Sequence, residues 1–242
     1  MCGRYASTKS ATDLATIFEA SDETGQESLV ASYNVAPTDP VHVVRRSHGG
    51  DRREVATARW GLLPPWARSP REGARMINAR AETVATSRAF RVPFARRRCL
   101  VPADGWYEWL RQSEGRNAAK QPYFLTPKDS GVLAFAGLWQ VWGPERLVTT
   151  TVITTAAVGD LSTVHDRMPL ALPPDRWSAW LDAADAAPLL SSPGEDWAAG
   201  IELRPVGSAV GDVRNNSDAL IRPVTASALR VDHADPVDLT LF

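Results

Sequence analysis

A cysteine directly after the initiator methionine is the residue of this sequence with the most distinctive chemistry. If Met1 is removed, Cys2 carries an α-amine and a thiol on the same residue. Their ordinary pKa values, about 7.7–8.0 and about 8.5, leave part of each group nucleophilic at neutral pH. An aldehyde would form an imine with the amine, and the sulfur would then close a five-membered thiazolidine ring. The alternative is that a cysteine stands at position 2 by chance.

Two other stretches could supply proton transfer. Glu108 stands among three large aromatic residues in Asp104-Gly105-Trp106-Tyr107-Glu108-Trp109. Packing against indole rings would raise the pKa of this carboxyl toward neutrality, which suits a general acid or base, whereas an exposed Glu108 on an alternating strand would have no such role. His165 is the only one of the four histidines that charged residues flank in a loop-like run. Histidine titrates near pH 7, although a surface histidine is the competing interpretation.

A third group of candidates lies between residues 60 and 83. Asn78 and Arg80 stand at the start of a helix predicted over 79–87. Asn78 could be the N-cap of this helix, or the two residues could bind phosphate and sugar at its N-terminus. Trp66 ends the proline-rich run Trp60-Gly61-Leu62-Leu63-Pro64-Pro65-Trp66. An exposed Trp66 would be a stacking platform for unpaired bases, and a buried one would belong to the core.

The net charge of −1 conceals an asymmetry along the chain. Residues 45–98 contain 14 Arg and 4 Asp or Glu, a balance of +10, which leaves the remainder at −11. A basic region on a nearly neutral protein is typical of a polyanion partner, and arginine suits bidentate phosphate contacts. A solvated arginine-rich surface would produce the same count.

Length and composition place the chain among soluble globular proteins. Its 242 residues can bury a full core, and we predict a single domain over 1–242, with a core at 2–224 and a loose tail at 232–242. No signal peptide or membrane span is apparent, so we expect a cytoplasmic protein. Two cysteines 97 positions apart form neither a zinc motif nor a disulfide framework, and Cys99 has the pattern of a buried strand residue.

Strand patterns outnumber helical ones, which indicates an α+β fold. Ser10 and Asp13 resemble a capping box that begins a helix ending near Ala20. The other predicted helices span 79–87, 173–181 and 185–190. The predicted strands span 33–38, 41–45, 54–60, 98–102, 105–111, 122–126, 132–142, 147–156, 206–210 and 221–224, with a hairpin tip at 49–51 and a loop at 117–120.

Taken together and in order, seven motifs resemble those of the SRAP family, the SOS response-associated peptidase-like proteins. The resemblance extends from residue 2 to about Val224 and includes Asn215-Asn216. The motifs are Met1-Cys2-Gly3-Arg4-Tyr5, Tyr33-Asn34-Val35-Ala36-Pro37, the Trp60–Trp66 run, Ile77-Asn78-Ala79-Arg80-Ala81-Glu82-Thr83, the run from Arg98 to Trp109, Phe135-Ala136-Gly137-Leu138-Trp139 and His165-Asp166-Arg167-Met168-Pro169.

The resemblance implies a compact, mostly-β, barrel-like domain with peripheral helices and a basic DNA channel. It implies a protein that binds single-stranded DNA and crosslinks covalently to abasic sites through Cys2. Asn78 would hold the N-terminus and the opened sugar, Glu108 would take the proton of the amine, and His165 would handle protons at the sugar oxygen. The residues expected to contact DNA are Arg4, Asn34, Trp66, Arg80, Thr154 and Arg167.

Two residues depart from the pattern of the family. Gln140 stands where an acidic residue is common, and Pro65 makes the Trp66 loop richer in proline. We expect no cofactor, no metal and a monomer, which is nucleoid-associated when bound to DNA. A lyase side activity is expected where ring closure fails. The alternatives are a thiol autopeptidase that removes Met1 and a non-covalent module that binds single-stranded or modified DNA.

Overall fold

Most of the regular structure is β-strand, as the many β-branched and aromatic segments predict. The computed structural model describes residues 2–25, 29–47, 50, 52–111 and 120–225. Within these ranges the strands are β1 (Tyr5–Ser7), β2 (Ala20–Asp22), β3 (Ser32–Val35), β4 (Pro40–Arg46), β5 (Arg53–Trp60), β6 (Asn78–Arg80), β7 (Arg98–Ala103), β8 (Gly105–Arg111), β9 (Lys120–Pro127), β10 (Leu133–Trp142), β11 (Leu147–Ala156), β12 (Arg167–Pro169) and β13 (Ile201–Pro205). The α-helices are α1 (Ala11–Ile17), α2 (Arg91–Arg96), α3 (Pro174–Asp182) and α4 (Glu195–Ala199).

Five strands close into a barrel in the order β5-β4-β7-β10-β11. The first four pairings are antiparallel. The ring is completed where β11 pairs in parallel with β5, opposite Arg59 and Trp60. Closure removes the free edges of these strands, which are the usual sites of unwanted pairing. The predicted α+β, mostly-β barrel is therefore confirmed.

Alternate side chains of each barrel strand point inward and form successive layers. On β7 these are Ala103, Val101 and Cys99, all at most 1% exposed, and Arg97 directly precedes the strand. On β10 they run from Leu133 through Phe135 to Trp139. Cys2 belongs to the same core cluster, and we call its side of the barrel the cysteine end. The opposite end, where Arg97 and Trp139 lie, is called the arginine end.

A second sheet covers the cysteine end, in the order β13-β9-β8-β1-β3. Tyr5 on β1 and Trp106 on β8 both meet the ring of Phe135 edge-on, with centroids 6.2 and 6.1 Å away. Tyr5 also contacts Trp60 of the barrel wall at 5.1 Å. These aromatic contacts fix β1, and therefore the N-terminal residues before it, over the mouth of the barrel.

Helices α1 and α3 pack on the outer wall of the barrel. The capping box predicted at Ser10 and Asp13 is confirmed, and α1 ends at Ile17, three residues before the expected end. Phe18 packs against Trp177 of α3 with ring centroids 4.4 Å apart. Helix α3 confirms the helix predicted over 173–181. In the described part of the chain, no helix is long and apolar enough to cross a membrane.

The helix predicted over 79–87 is wrong. Asn78–Arg80 form strand β6, which pairs in parallel with β11 opposite Val152–Thr154, and turns follow. Asn78 is therefore not a helix N-cap. The apolar residues whose spacing suggested a helix lie instead in turns, where Ala81 and Val84 are buried in the core. Their backbone bonds run from Thr83 and Val84 back to the carbonyl of Arg80.

The late strands predicted over 206–210 and 221–224 are also wrong. The strand in this region is β13, and the predicted segments are mainly 3₁₀ turns, Ser208–Gly211 and Asp218–Ile221, joined by one bridge from Val206 to Pro223. Pro223 has no N–H for a ladder, which limits the pairing. A 3₁₀ turn, Ala187–Leu190, stands where a short helix was predicted. The tail at 232–242, most of the hairpin tip at 49–51 and loop positions 117–119 lie outside the described residues.

Candidate active site

Strand pairing brings the N-terminal segment alongside Glu108. β1 runs antiparallel to β8 with Tyr5 opposite Trp106, and the N–H of Tyr107 donates to the carbonyl oxygen of Arg4 over 2.9 Å. Continuing this register by two residues brings Gly3 opposite Glu108, and Cys2 is the residue just before Gly3. Cys2 is 4% exposed and Glu108 is 3% exposed, so Glu108 is a buried carboxyl and not the exposed strand residue of the alternative interpretation.

The Cys2 thiol and the Glu108 carboxylate form a hydrogen-bonded pair. Burial raises the pKa of the Cys2 thiol well above its ordinary value, and the carboxylate of Glu108 raises it further. Burial likewise raises the pKa of Glu108, while the hydrogen bond from Cys2 and the ring of His165 oppose that shift. A thiol in this setting is held protonated beside its proton acceptor, since two negative charges at such close range would be costly.

Asn78 fixes the backbone of the same residue. Its Nδ2 donates to the carbonyl oxygen of Cys2 over 2.9 Å. Because Asn78 lies on β6, which is itself paired to the barrel strand β11, the N-terminal segment is tied to the barrel wall. The side chain of Asn78, which the sequence could also assign to a helix N-cap, therefore holds the backbone of Cys2 in place.

His165 approaches from the segment between the 3₁₀ turn Gly159–Thr163 and β12. Its Nδ1 accepts from the backbone N–H of Arg167 over 2.9 Å, and Oδ1 of Asp166 lies 3.0 Å from the same nitrogen. These contacts suit different protonation states: the neutral ring accepts from Arg167, and the charged ring donates to Asp166. His165 lowers the pKa of Glu108, which places the imidazole within electrostatic reach of the buried pair.

Arg167 and Thr154 meet next to this histidine. The Nη2 of Arg167 donates to the backbone oxygen of Thr154 over 2.6 Å. The same guanidinium makes a two-pronged contact with Glu82, including Nη2 to Oε2 at 3.0 Å. The hydrogen bond from Arg167 lowers the pKa of Glu82. Glu82 is a neighbour that sequence reasoning did not select, because nothing in its local motif shows that a residue 85 positions away faces it.

Arg4 and Asn34 lie together behind the site. Nη1 of Arg4 donates to Oδ1 of Asn34 over 2.7 Å and to the carbonyl oxygen of Val210 over 2.9 Å. The amide of Asn34, 3% exposed, donates to the carbonyl oxygens of Asp212 and Asn215 over 3.0 and 2.8 Å. In the described structure the two side chains therefore hold the segment that contains Asn215, and Asn34 is directed into protein and not to the surface.

Trp66 and Arg80 present accessible groups on the barrel flank. Trp66 is 45% exposed, and the guanidinium of Arg88 lies 4.6 Å from its ring centroid. The chain turns toward Trp66 at Gly61, whose φ of +125° and close approach to the Gly73 carbonyl leave no room for a Cβ. Arg80 is exposed on β6, opposite Thr154. The four predicted catalytic residues are thus brought together, with Arg80, Thr154 and Arg167 along one side.

The basic stretch 45–98 does not line one channel. Arg80 lies on β6 two residues from Asn78, whereas Arg45 pairs with Glu54 at the arginine end of the barrel. Gln140, which replaces the expected acidic residue, is buried there and accepts a hydrogen bond from Arg97. In the described ranges, no cluster of three or more His, Cys, Asp or Glu residues is placed to hold a metal ion.

The fold and site define a class of proteins with a closed β-barrel whose mouth holds an N-terminal thiol beside a buried carboxylate and a histidine. A sequence profile of the family described as SOS response associated peptidase (SRAP) matches residues 1–213. The chain therefore belongs to the SRAP family.

Named relatives and solved structures agree with this membership. The chain is 35% identical over 230 residues to the abasic site processing protein YoaM of Bacillus subtilis, covering 91% of this chain and 97% of that protein. It is 30% identical over 232 residues to the abasic site processing protein YedK of Escherichia coli, covering 93% and 100%. A crystal structure of a protein from Bacteroides thetaiotaomicron has the same fold, with a TM-score of 0.76, 24% identity and coverage of 93% and 100%.

Proposed function

We propose that this protein processes abasic sites in single-stranded DNA by forming a covalent thiazolidine crosslink through Cys2. The observation that carries the proposal is the Cys2 thiol hydrogen-bonded to the buried carboxylate of Glu108, with the Cys2 backbone held by Asn78. The names of the relatives point to the same lesion. An abasic sugar is the aldehyde source that an N-terminal aminothiol would trap.

The reaction proceeds through an imine after Met1 has been removed. The sugar ring opens to its aldehyde as His165 supplies a proton to the ring oxygen. The α-amine of Cys2 adds to the carbonyl carbon, Glu108 takes its proton, and the carbonyl oxygen leaves as water. The sulfur then adds to the imine carbon, so that a C–S bond forms and a proton moves to nitrogen. The net change is condensation of the aldehyde with amine and thiol, with loss of one water.

Burial gives the pair Cys2–Glu108 its chemical role in this scheme. A thiol whose pKa is raised attacks slowly by itself, since the thiolate is the nucleophile. Glu108 lies in hydrogen-bond contact and its own pKa is raised, which makes it a better acceptor for the departing proton. If closure by sulfur fails, the imine permits β-elimination at the neighbouring carbon, and a lyase side activity follows.

DNA would reach the site across the side occupied by Arg80 and Arg167. Arg80 is exposed and could contact a phosphate directly. Arg167 is paired with Glu82, so a phosphate that used its guanidinium would have to displace that carboxylate. The exposed ring of Trp66 is available for stacking on an unpaired base or at the end of a duplex.

The deciding experiment uses an oligonucleotide with one abasic site. The wild-type protein should form a band that resists denaturation, with an intact mass equal to the protein without Met1 plus the oligonucleotide minus one water. Cys2→Ala should lose this adduct, whereas Cys99→Ala should keep it, because Cys99 is buried inside the barrel and burial raises its thiol pKa to about 12. A stable adduct that persists in Cys2→Ala would refute the proposed role.

A second candidate activity is removal of Met1 by the protein itself, which the description of the family as peptidases favours. A thiol beside an acid–base pair could attack the preceding peptide bond. The mass of freshly made Glu108→Gln protein distinguishes this activity from host processing. Retention of Met1 in that variant alone would support self-processing, and its removal in both proteins would assign the step to another enzyme.

A further inference from the structure

The arginine end of the barrel carries a concentration of positive charge that the proposed chemistry does not use. Two adjoining depressions open there, of about 530 and 290 Å³, and they share Arg46. The larger one also contains Arg52 and Arg53. The described residues that line the two depressions include seven arginines and three carboxylates, a balance of +4 on a chain whose net charge is −1.

Strand register places this surface away from the reactive cysteine. On β4, the inward side chains run from Val41 beneath the second sheet through Val43 to Arg45, and four residues of extended strand span roughly 13 Å. Arg45 lies 4.3 Å from the ring centroid of Trp139, and Arg97 lies 5.8 Å from the same centroid. A cation–aromatic layer therefore closes the barrel at the end opposite Cys2.

Neutral partners hold several of these arginines in place without cancelling their charge. Arg53 donates to the carbonyl oxygen of Phe18 over 2.8 Å and to Oγ of Ser178 over 2.6 Å. Arg98 in the smaller depression donates to backbone carbonyl oxygens, including that of Phe94 over 2.8 Å. The positions of the guanidinium groups are thus fixed, while their positive field remains.

The remaining arginines of the two depressions differ in whether their side chains already have a partner. Arg97 bonds to the amide oxygen of Gln140, again a neutral partner. Arg45 and Arg46 form ion pairs, with Glu54 and Asp182. Arg52 and Arg96 are exposed, and their side chains make no hydrogen bond or ion pair within the described part of the chain.

From this arrangement we propose that the arginine end is a second phosphate-binding surface, which takes the backbone of a further stretch of nucleic acid. Every basic side chain lining it is arginine, whose planar fork matches phosphate oxygens in pairs. The two depressions form an extended surface and not a closed pocket, which suits a polymer of phosphates better than a single small anion. The inference rests on the proposed DNA function and extends the contact beyond the lesion.

The test compares two double charge reversals that change the net charge equally. Arg52→Glu with Arg96→Glu alters the arginine end. The matched control, Arg176→Glu with Arg222→Glu, reverses two exposed arginines elsewhere. Binding of an undamaged single strand of about 40 nucleotides, long enough to reach both ends of the barrel, is followed by fluorescence anisotropy at several salt concentrations. A short abasic oligonucleotide that reaches only the Cys2 site measures crosslinking separately.

The first double variant should bind the long strand at least tenfold more weakly at low salt. The slope of log K against log salt should fall by about 1.4, which corresponds to two lost phosphate contacts on single-stranded nucleic acid. Its crosslinking to the short abasic oligonucleotide should equal that of the wild type. Equal loss of binding in both double variants, or no loss in either, would overturn the proposal.

Two further measurements distinguish this proposal from a small-anion site and from the proposed crosslinking function. Replacing chloride by inorganic phosphate at constant ionic strength should weaken binding of the long strand only slightly, because one phosphate cannot match many linked phosphates. Complete displacement of the strand by phosphate would instead assign the surface to a small anion and overturn the nucleic-acid assignment. If the wild-type protein formed no adduct but the arginine-end variant still lost affinity, the proposed crosslinking would fail while this surface stood.

Discussion

Replacing Glu108 by Gln tests the core of the proposed mechanism, because activity and stability should move in different directions. Gln has nearly the same size, so the packing of a side chain that is 3% exposed is preserved. What disappears is the proton acceptor for the Cys2 thiol. General acid–base groups contribute about 10²–10⁴-fold to rate, or about 3–5.5 kcal/mol of barrier, and crosslinking should slow by that amount.

The sign of the stability change follows from the raised pKa of Glu108. Its native pKa lies above its unfolded value, so between the two the native state binds more protons than the unfolded state. Stability from this group is therefore greatest at pH values below the unfolded pKa. It declines as pH rises through the native pKa, by about 1.4 kcal/mol for each pH unit that separates the two pKa values. Glu108→Gln removes that decline and should unfold no more easily than the wild type at pH 7.

Single-turnover crosslinking on denaturing gels and urea unfolding, each followed from the ordinary carboxyl pKa upward to neutral pH, provide the two measurements. Cys2 is generated by cleavage of an N-terminal fusion, so that both proteins have a free amine whatever removes Met1. The wild-type rate should fall as pH falls through the raised pKa of Glu108, and the variant should lack this dependence. Glu202→Gln, which alters an accessible carboxylate paired with Arg204, is the control and should keep the wild-type rate. A Glu108→Gln protein that crosslinks at the wild-type rate would refute the mechanism.

Three further substitutions follow from single contacts. Asn78→Ala removes the 2.9 Å hydrogen bond to the Cys2 carbonyl oxygen, and it should slow crosslinking at least tenfold and lower the free energy of unfolding in urea by about 1 kcal/mol. An unchanged crosslinking rate would argue against a positioning role for Asn78. Trp66→Ala should weaken binding of single-stranded DNA by about 1–3 kcal/mol in anisotropy titrations, and equal affinity would exclude stacking. Glu82→Gln releases Arg167 from its ion pair and should tighten DNA binding several-fold at low salt, and this difference should vanish at high salt. Weaker DNA binding by the variant would contradict competition between Glu82 and phosphate for Arg167.

Strands β10 and β11 of the barrel could be predicted because each is a ten-residue run rich in β-branched or aromatic residues, which favours extended structure. Segments with short or mixed patterns could not. Residues 79–87 carry helical spacing, yet β6 forms there since the edge of β11 supplies hydrogen-bond partners for Asn78–Arg80. Similarly, β1 is only three residues long, and it is a strand because β8 and β3 lie on either side of it.

The sequence by itself determined which groups were available: an aminothiol at position 2, a carboxyl among indoles, a histidine between charges, and a family whose motifs put them in order. Only the tertiary structure decided their states. Glu108 is buried because β8 faces the barrel mouth, and Arg167 is engaged because Glu82 folds beside it. Burial and pairing between distant residues set pKa values and available charge, and neither is encoded in the spacing of residues along the chain.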